Sequence, residues 1–381
     1  MIKIFVPKET APEENRVAIT PETVKKYIKA GCEVMVEAGA GGRSYISDDD
    51  YKGEGAAIID KVADGLQQAD IVLKVAPPST EEISQMKEGG IIIGFMYPHR
   101  NDQMIESMVS RKVTALSVEL IPRITRAQSM DALSSQANIA GYKAVLIAAA
   151  RLEKYFPQLM TAAGTVKPAR VVIIGAGVAG LQAIATARRL GAIVEVSDIR
   201  PEVEEQVKSL GGKFIPLPEM ETAESEGGYA KEVTKEFLDK QQEILARHVA
   251  AADVVITTAL VPGRPAPKLV TEEMVKSMAT GTVIVDLAVE EGGNCVLSES
   301  GKEVNKYGVA ILGDAHLPGS VAKDASSLYA RNLKALLDLL IIKGELKVDL
   351  YEEIIHKSLI AHNGEKLYPP KEFKHKEEEA S

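Results

Sequence analysis

Three glycines, Gly175, Gly177 and Gly180, stand in the spacing GAGVAG directly after the apolar run RVVII. That spacing suits a diphosphate. Gly175 permits a tight turn, Gly177 lets a pyrophosphate approach the backbone, and Gly180 lets a helix pack closely on the preceding strand. Free N–H groups and the dipole at the start of the helix favour negative charge there. GxGxxG alone is a weak signal. Here the next strand ends in Asp198, eighteen residues past Gly180, where an acid receives the adenosine ribose hydroxyls. A carboxylate in that place repels a 2′-phosphate, so the pattern predicts NAD(H) rather than NADP(H). Arg200 is a counter-signal, because a nearby arginine can accept that phosphate. Beside Asp198 it reads as an adenosine-side or surface contact.

Other polar clusters are open to two readings. The stretch PRITRAQSMDALSSQANIAGYKA (122–144) gathers Arg, Gln, Asp and Ser at the entrance to a long helix. Asp131 or Ser134 can simply cap that helix, or the group can position a ligand. The sequence GGYA at 227–230, in an acidic stretch, makes either an exposed turn or a lid carrying Tyr229. The stretch EAGAGGRSY (37–45) follows a strand but lacks the third glycine and a good helix after it, so a plain turn is expected.

The elements that must hold these residues form two series. IKIFV, CEVMVEA, DIVLKVA, GIIIGFM and VTALSVE read as buried parallel strands, with helical patterns such as 21–30 between them. RVVIIG, AIVEVSD, KFIPL, DVVITTA, TVIVDLA and VAILGDA repeat the scheme, with a helix at 181–190 after the glycine turn. Strands alternating with helices predict an α/β protein of two doubly wound Rossmann-like domains with parallel sheets and right-handed crossovers. Long helical patterns at 134–156 and 321–342 flank the second series. The chain is therefore expected to leave a first domain (1–133), build a second (134–321), and return to the first (322–381).

Bulk properties narrow the function. At 381 residues the chain is too long for a single core. The net charge of −9 argues against nucleic acid, whose binders need a basic face. Cys32 and Cys295 lack CxxC spacing, which predicts buried free thiols and no zinc site. No signal-peptide pattern opens the sequence, and the most apolar run, 171–187, is glycine-rich and short for a membrane span. A soluble cytoplasmic protein is expected.

Nearly the whole chain resembles the NAD(H)-binding component of proton-translocating nicotinamide nucleotide transhydrogenases. The resemblance runs through PKE and RVAITPE, the 122–144 segment, TAAGTVKPARVVIIGAGVAGLQAIATA, GGYAKE, TTALVPGRPAP and VIVDLAVEEGGNCVLSE. It implies that Arg123, Asp131 and Ser134 hold the nicotinamide amide and nearby groups, and that Gln128 reaches toward an NADP(H)-binding partner. It assigns the nucleotide side to Gly175, Gly177, Val178, Ala179, Gly180, Asp198, Ile199, Arg200, Gln241 and Leu260, with Gly228 and Tyr229 in a mobile loop. It also implies a homodimer, no metal, and membrane-spanning partner subunits that place the chain peripherally at the inner membrane.

Alanine dehydrogenase is similar in fold and in much of its sequence, and is the competing reading. Its pattern implies binding of a substrate carboxylate near Arg16 and Lys74 and proton transfer near His99. However, VDLAVEEGG carries Glu290 where that enzyme has an aspartate, and RAQSMD has no counterpart in its usual pattern. Ion-pairing or structural roles are expected for Arg16, Lys74 and His99. A noncatalytic NAD(H) sensor is a third reading, which the full Arg123/Gln128/Asp131/Ser134 set disfavours.

Overall fold

The computed structural model describes residues 1–217, 235–261, 263–314, 316–370 and Phe373. The chain divides into two compact units, Met1–Gln136 with Pro318–Ser381, and Ala137–Leu317.

In the first unit six strands lie parallel: β1 (Lys3–Val6), β2 (Glu33–Glu37), β3 (Ala57–Ile59), β4 (Ile71–Leu73), β5 (Ile91–Gly94) and β6 (Thr114–Ser117). Their spatial order is β3-β2-β1-β4-β5-β6. Side chains alternate between the two faces, so Ile4 and Val6 join one core cluster and Phe5 the other. Helix Ala322–Leu340 covers the first face through Tyr329, Leu333, Leu336, Leu337 and Leu340, which recur at helical spacing.

The second unit repeats the plan with β7 (Arg170–Ile174), β8 (Ile193–Ser197), β9 (Lys213–Phe214), β10 (Val254–Thr257), β11 (Val283–Asp286), β12 (Glu303–Lys306) and β13 (Val309–Leu312). Its order is β9-β8-β7-β10-β11-β13-β12. Val171 and Ile173 face helix Val178–Arg189, while Val172 and Ile174 face helix Lys235–Ala250. In both sheets the order reverses beside the first strand, which opens a crevice at the strands' C-terminal ends.

The structure departs from the sequence-based expectation in three places. The sheets are mixed rather than wholly parallel. Leu359–His362 pairs antiparallel with β6 and with Glu365–Lys366, and β12 pairs antiparallel with β13. These hairpins turn at Asn363-Gly364 and Tyr307-Gly308, where both residues take positive φ, as a two-residue turn matched to strand twist requires. The helix after the glycine turn begins at Val178, three residues before the expected start, because Gly177 already serves as its extended N-cap. The interdomain helix spans Ala132–Arg151 and stops well short of Pro157. An exposed hairpin, Leu159–Thr161 with Gly164–Val166, follows it.

Gly180 is the tightest point of the helix–strand contact. A Cβ there would lie 1.9 Å from the carbonyl oxygen of Gly175, which is backbone and cannot swing aside. Gly180→Ala is expected to destabilise the protein by at least about 1–3 kcal/mol, as overpacking of a close contact does. The urea midpoint should fall accordingly, and an unchanged midpoint would contradict the contact.

Candidate functional site

β7 ends at Ile174, and Gly175 turns the chain with φ +104°, a conformation that other residues rarely adopt. A Cβ on Gly175 would lie 2.5 Å from Thr258 Oγ1, whose hydroxyl donates to the Gly175 carbonyl at 3.1 Å. Gly177 has no side chain to cap the helix, and the first turn carries no acid. The first N–H groups of a helix have no intrahelical partner. A Cβ on Gly177 would meet nothing within 4 Å, so ligand atoms can approach the backbone there. An open glycine, a bare N-terminus and close helix packing together fit a pyrophosphate.

Asp198 follows β8 and is drawn inward. Its Oδ2 accepts from the Ala176 N–H at 2.7 Å, which ties it to the glycine turn. Arg200 engages the same carboxylate from two sides, Nε to Oδ1 at 3.0 Å and Nη2 to Oδ2 at 2.9 Å. The expectation that Arg200 makes an adenosine-side or surface contact is thereby refined, since its guanidinium is an ion-pair partner of Asp198. Ile199 is half-buried. Val178 and Leu260 are exposed apolar residues, 37% and 44%, at the C-terminal side of the sheet, where a ring system can cover them. Gln241 is buried on helix Lys235–Ala250. Gly228 and Tyr229 lie outside the described residues, as does the rest of the GGYA sequence.

The loop after β10 is held by residues that the sequence motifs did not single out. Asp286, fully buried at the end of β11, accepts from Thr257 Oγ1 at 2.9 Å, from Ser298 Oγ at 2.6 Å, and from the backbone N–H groups of Ala288, Asn294 and Cys295. Asn294 in turn grips Ala259 through both its N–H and its carbonyl, at 3.0 and 2.8 Å. The available signal was the polar ending of VDLAVEEGGN, an acid at the end of a buried strand.

In the first unit, 122–136 is a short 3-10 helix, Thr125–Met130, leading into Ala132–Arg151. Ala127 and Met130 point into the core, and Asn332 donates to the Ser129 carbonyl at 2.8 Å. Gln128 and Arg123 remain exposed on this anchored loop. Asp131 does cap the helix, since its Oδ1 accepts the Ser134 N–H at 2.8 Å and its Oδ2 the Ser134 hydroxyl at 2.6 Å. The pair is thus held in one geometry, half-buried.

Arg16 and Lys74 are ion-paired inside the first unit. Glu14 grips Arg16 at two points, 2.8 and 2.6 Å, and Gln136 Oε1 accepts from its third nitrogen at 2.9 Å. Lys74 is 2% exposed and lies between Glu82 at 2.7 Å and Glu9 at 3.6 Å. Burial pushes the Glu9 carboxyl above its usual range despite the adjacent ammonium. His99 is exposed. The 37–45 stretch forms the expected turn, with a single 3-10 turn at Gly42–Ser44.

Among the described residues no group of His, Cys, Asp or Glu is placed to hold a metal, and no helix is long and apolar enough to cross a membrane.

Fold and glycine turn together define a dinucleotide-binding α/β protein. Comparison narrows the class. The family models "Alanine dehydrogenase/PNT, N-terminal domain" and "C-terminal domain" match residues 5–140 and 144–369, and the chain belongs to this family. It is 50% identical over 97% of its length, and 98% of the relative's, to an NAD(P) transhydrogenase subunit alpha polypeptide of Rhodospirillum rubrum. Identity to alanine dehydrogenase of Methanococcus maripaludis is 32%, over 96% of this chain and 94% of the relative. The solved transhydrogenase of Sinorhizobium meliloti superposes with a TM-score of 0.85 at 45% identity, covering 96% of this chain and 99% of that one.

Both thiols lie in the cores, and burial pushes Cys295 up to about 11 and Cys32 upward too. Neither is expected to react with an aromatic disulfide reagent at pH 8 in the native protein, and both should react once it is unfolded. Rapid native labelling would place a thiol at the surface.

Proposed function

We propose that this chain is the NAD(H)-binding subunit of a proton-translocating NAD(P) transhydrogenase, exchanging hydride with NADP(H) on a partner subunit. One observation carries the reading: a pyrophosphate turn with an acid at the end of the next strand, in a chain 41–50% identical over nearly its whole length to transhydrogenase alpha subunits. In this reading 134–321 is the NAD(H)-binding domain. The N–H groups of Val178, Ala179 and Gly180 receive the pyrophosphate, and Asp198 and Ile199 face the adenosine ribose. Leu260 and Gln241 line the nucleotide path. Gly228 and Tyr229 enter the reading through family resemblance alone.

The nucleotide, when bound, supplies or receives the hydride at its nicotinamide ring. Protein groups need only hold that ring and keep water away, so no general acid or base is required. Arg123, Asp131 and Ser134 are suited to holding the amide, and exposed Gln128 to meeting the partner's nucleotide. The membrane-spanning and NADP(H)-binding segments belong to partner subunits, which would place this chain at the inner membrane surface.

Alanine dehydrogenase is the weaker reading on a specific observation. The cations it would need for a substrate carboxylate, Arg16 and Lys74, are already saturated by Glu14, Glu9 and Glu82. The isolated chain should form no NADH from alanine and NAD. Mixed with an NADP-binding partner domain, it should catalyse hydride transfer between the two nucleotides. Gln128→Asn should slow that transfer on the order of a hundredfold while changing NADH affinity little, because about 1 Å of misplacement costs that much. Robust alanine oxidation with no transhydrogenation would overturn the assignment.

A homodimer belongs to the same proposal. The hairpin Leu159–Thr161/Gly164–Val166 projects Met160, 72% exposed, and Val166, 37% exposed, an apolar surface that a second copy can cover. Light scattering should give twice the chain mass, and Met160→Asp with Val166→Asp should shift it toward monomer. A native protein that is monomeric at micromolar concentration would rule the dimer out.

A further inference from the structure

Asp198 and Arg200 form one unit. The carboxylate accepts hydrogen bonds from the Ala176 N–H, the Arg200 N–H, Arg200 Nε and Arg200 Nη2. The Asp198 side chain is 6% exposed and that of Arg200 25% exposed, so the pair is partly sheltered from solvent. A bidentate, sheltered arginine–carboxylate contact is among the stronger charge-assisted pairs, and its planar geometry holds the guanidinium in place. Asp198 directly follows β8 and Arg200 stands two residues further, at the strand end that receives the adenosine ribose in this fold.

The fork of an arginine matches a phosphate as well as a carboxylate, and a dianionic phosphate attracts it more strongly than a single carboxylate does. With Asp198 present, however, a 2′-phosphate would face a carboxylate and would have to compete with it for the same guanidinium. The intrachain carboxylate has no association entropy to overcome and retains the arginine.

We infer that Arg200 is a specificity-determining residue, a 2′-phosphate receptor that Asp198 keeps engaged, so that this one carboxylate both repels the phosphate and withholds the cation that would bind it. The inference rests on the NAD(H) reading of the glycine turn. Preference for NAD(H) is then a property of the pair rather than of Asp198 alone. Removing the acid uncovers an existing phosphate site instead of merely weakening selectivity.

The test is titration of the full chain with NADH and NADPH, read by calorimetry, for the native protein, Asp198→Ser, Asp198→Asn, and Asp198→Ser combined with Arg200→Ala. Loss of the bond to Ala176 lowers affinity for both nucleotides, so a gain in NADPH binding is a readout that a structural role cannot produce. The native protein should prefer NADH. Asp198→Ser should bind NADPH at least tenfold more tightly than the native protein does, and adding Arg200→Ala should abolish that gain. If Asp198→Ser does not melt cooperatively, Asp198→Asn, which keeps an oxygen acceptor for Ala176, is held to the same expectation. No gain in a cooperatively melting variant, or a gain that survives Arg200→Ala, overturns the role of Arg200 while leaving the NAD(H) reading in place. A native protein without preference for NADH overturns that reading and this inference with it.

Discussion

The approach of Gly180 to the Gly175 carbonyl is the constraint on which the second unit depends. A methyl group at Gly180 would lie 1.9 Å from that oxygen, so helix Val178–Arg189 can seat on the sheet only with glycine there. Seating brings Ala183, Ile184 and Ala187 into the core beside Val171 and Ile173. It also leaves the helix N-terminus open at the end of β7, next to the point where strand order reverses. Packing and the open helix end therefore share one backbone contact.

Around that contact the polar groups form a braced ring. Thr258 bonds the Gly175 carbonyl, Asn294 clamps Ala259, and Asp286 holds Asn294 and Thr257. A fully buried carboxylate without such partners would be costly, and Asp286 has five. Asp198 ties the next strand to the same turn through Ala176. Rigid support of this kind lets a few exposed groups keep a fixed position toward a ligand.

The first unit shares the order of the six parallel strands, with different edges and contents. At its reversal point the ends of β1 and β4 lead to the half-buried Arg16 and the buried Lys74, cations neutralised by Glu14, Glu9 and Glu82 of the same unit. Breaking one partner of such a set leaves an uncompensated buried charge, typically costing about 3–5 kcal/mol. Similar parallel strand orders thus yield an open glycine turn in one unit and a self-satisfied charge cluster in the other. The difference begins in the backbone, because β7 turns directly into a helix at Val178 while the chain after β1 runs to Pro21 before its helix begins.

Sequence by itself determined the two α/β series, the glycine turn, the acid after β8 and the chain's return to its first unit, because these are local signals of period, spacing and turn chemistry. The Asn363-Gly364 and Tyr307-Gly308 hairpins were also legible in principle, but their short polar strands, such as EVNK, carry little apolar alternation. Side-chain partnerships over long sequence distance were not legible. Neither the pairing of Lys74 with Glu9 nor the grip of Asn294 on Ala259 leaves any spacing pattern, since residues so far apart meet only once the sheet has formed. Asp131 and Ser134 show the same division. Their polarity and place before a helix were visible, yet only the folded chain made one the cap and the other its partner, because that depends on where the helix starts. Tertiary structure likewise made Arg200, read from sequence as an adenosine-side or surface contact, the partner of Asp198, since side chains two residues apart on a chain can point anywhere until the backbone between them is set.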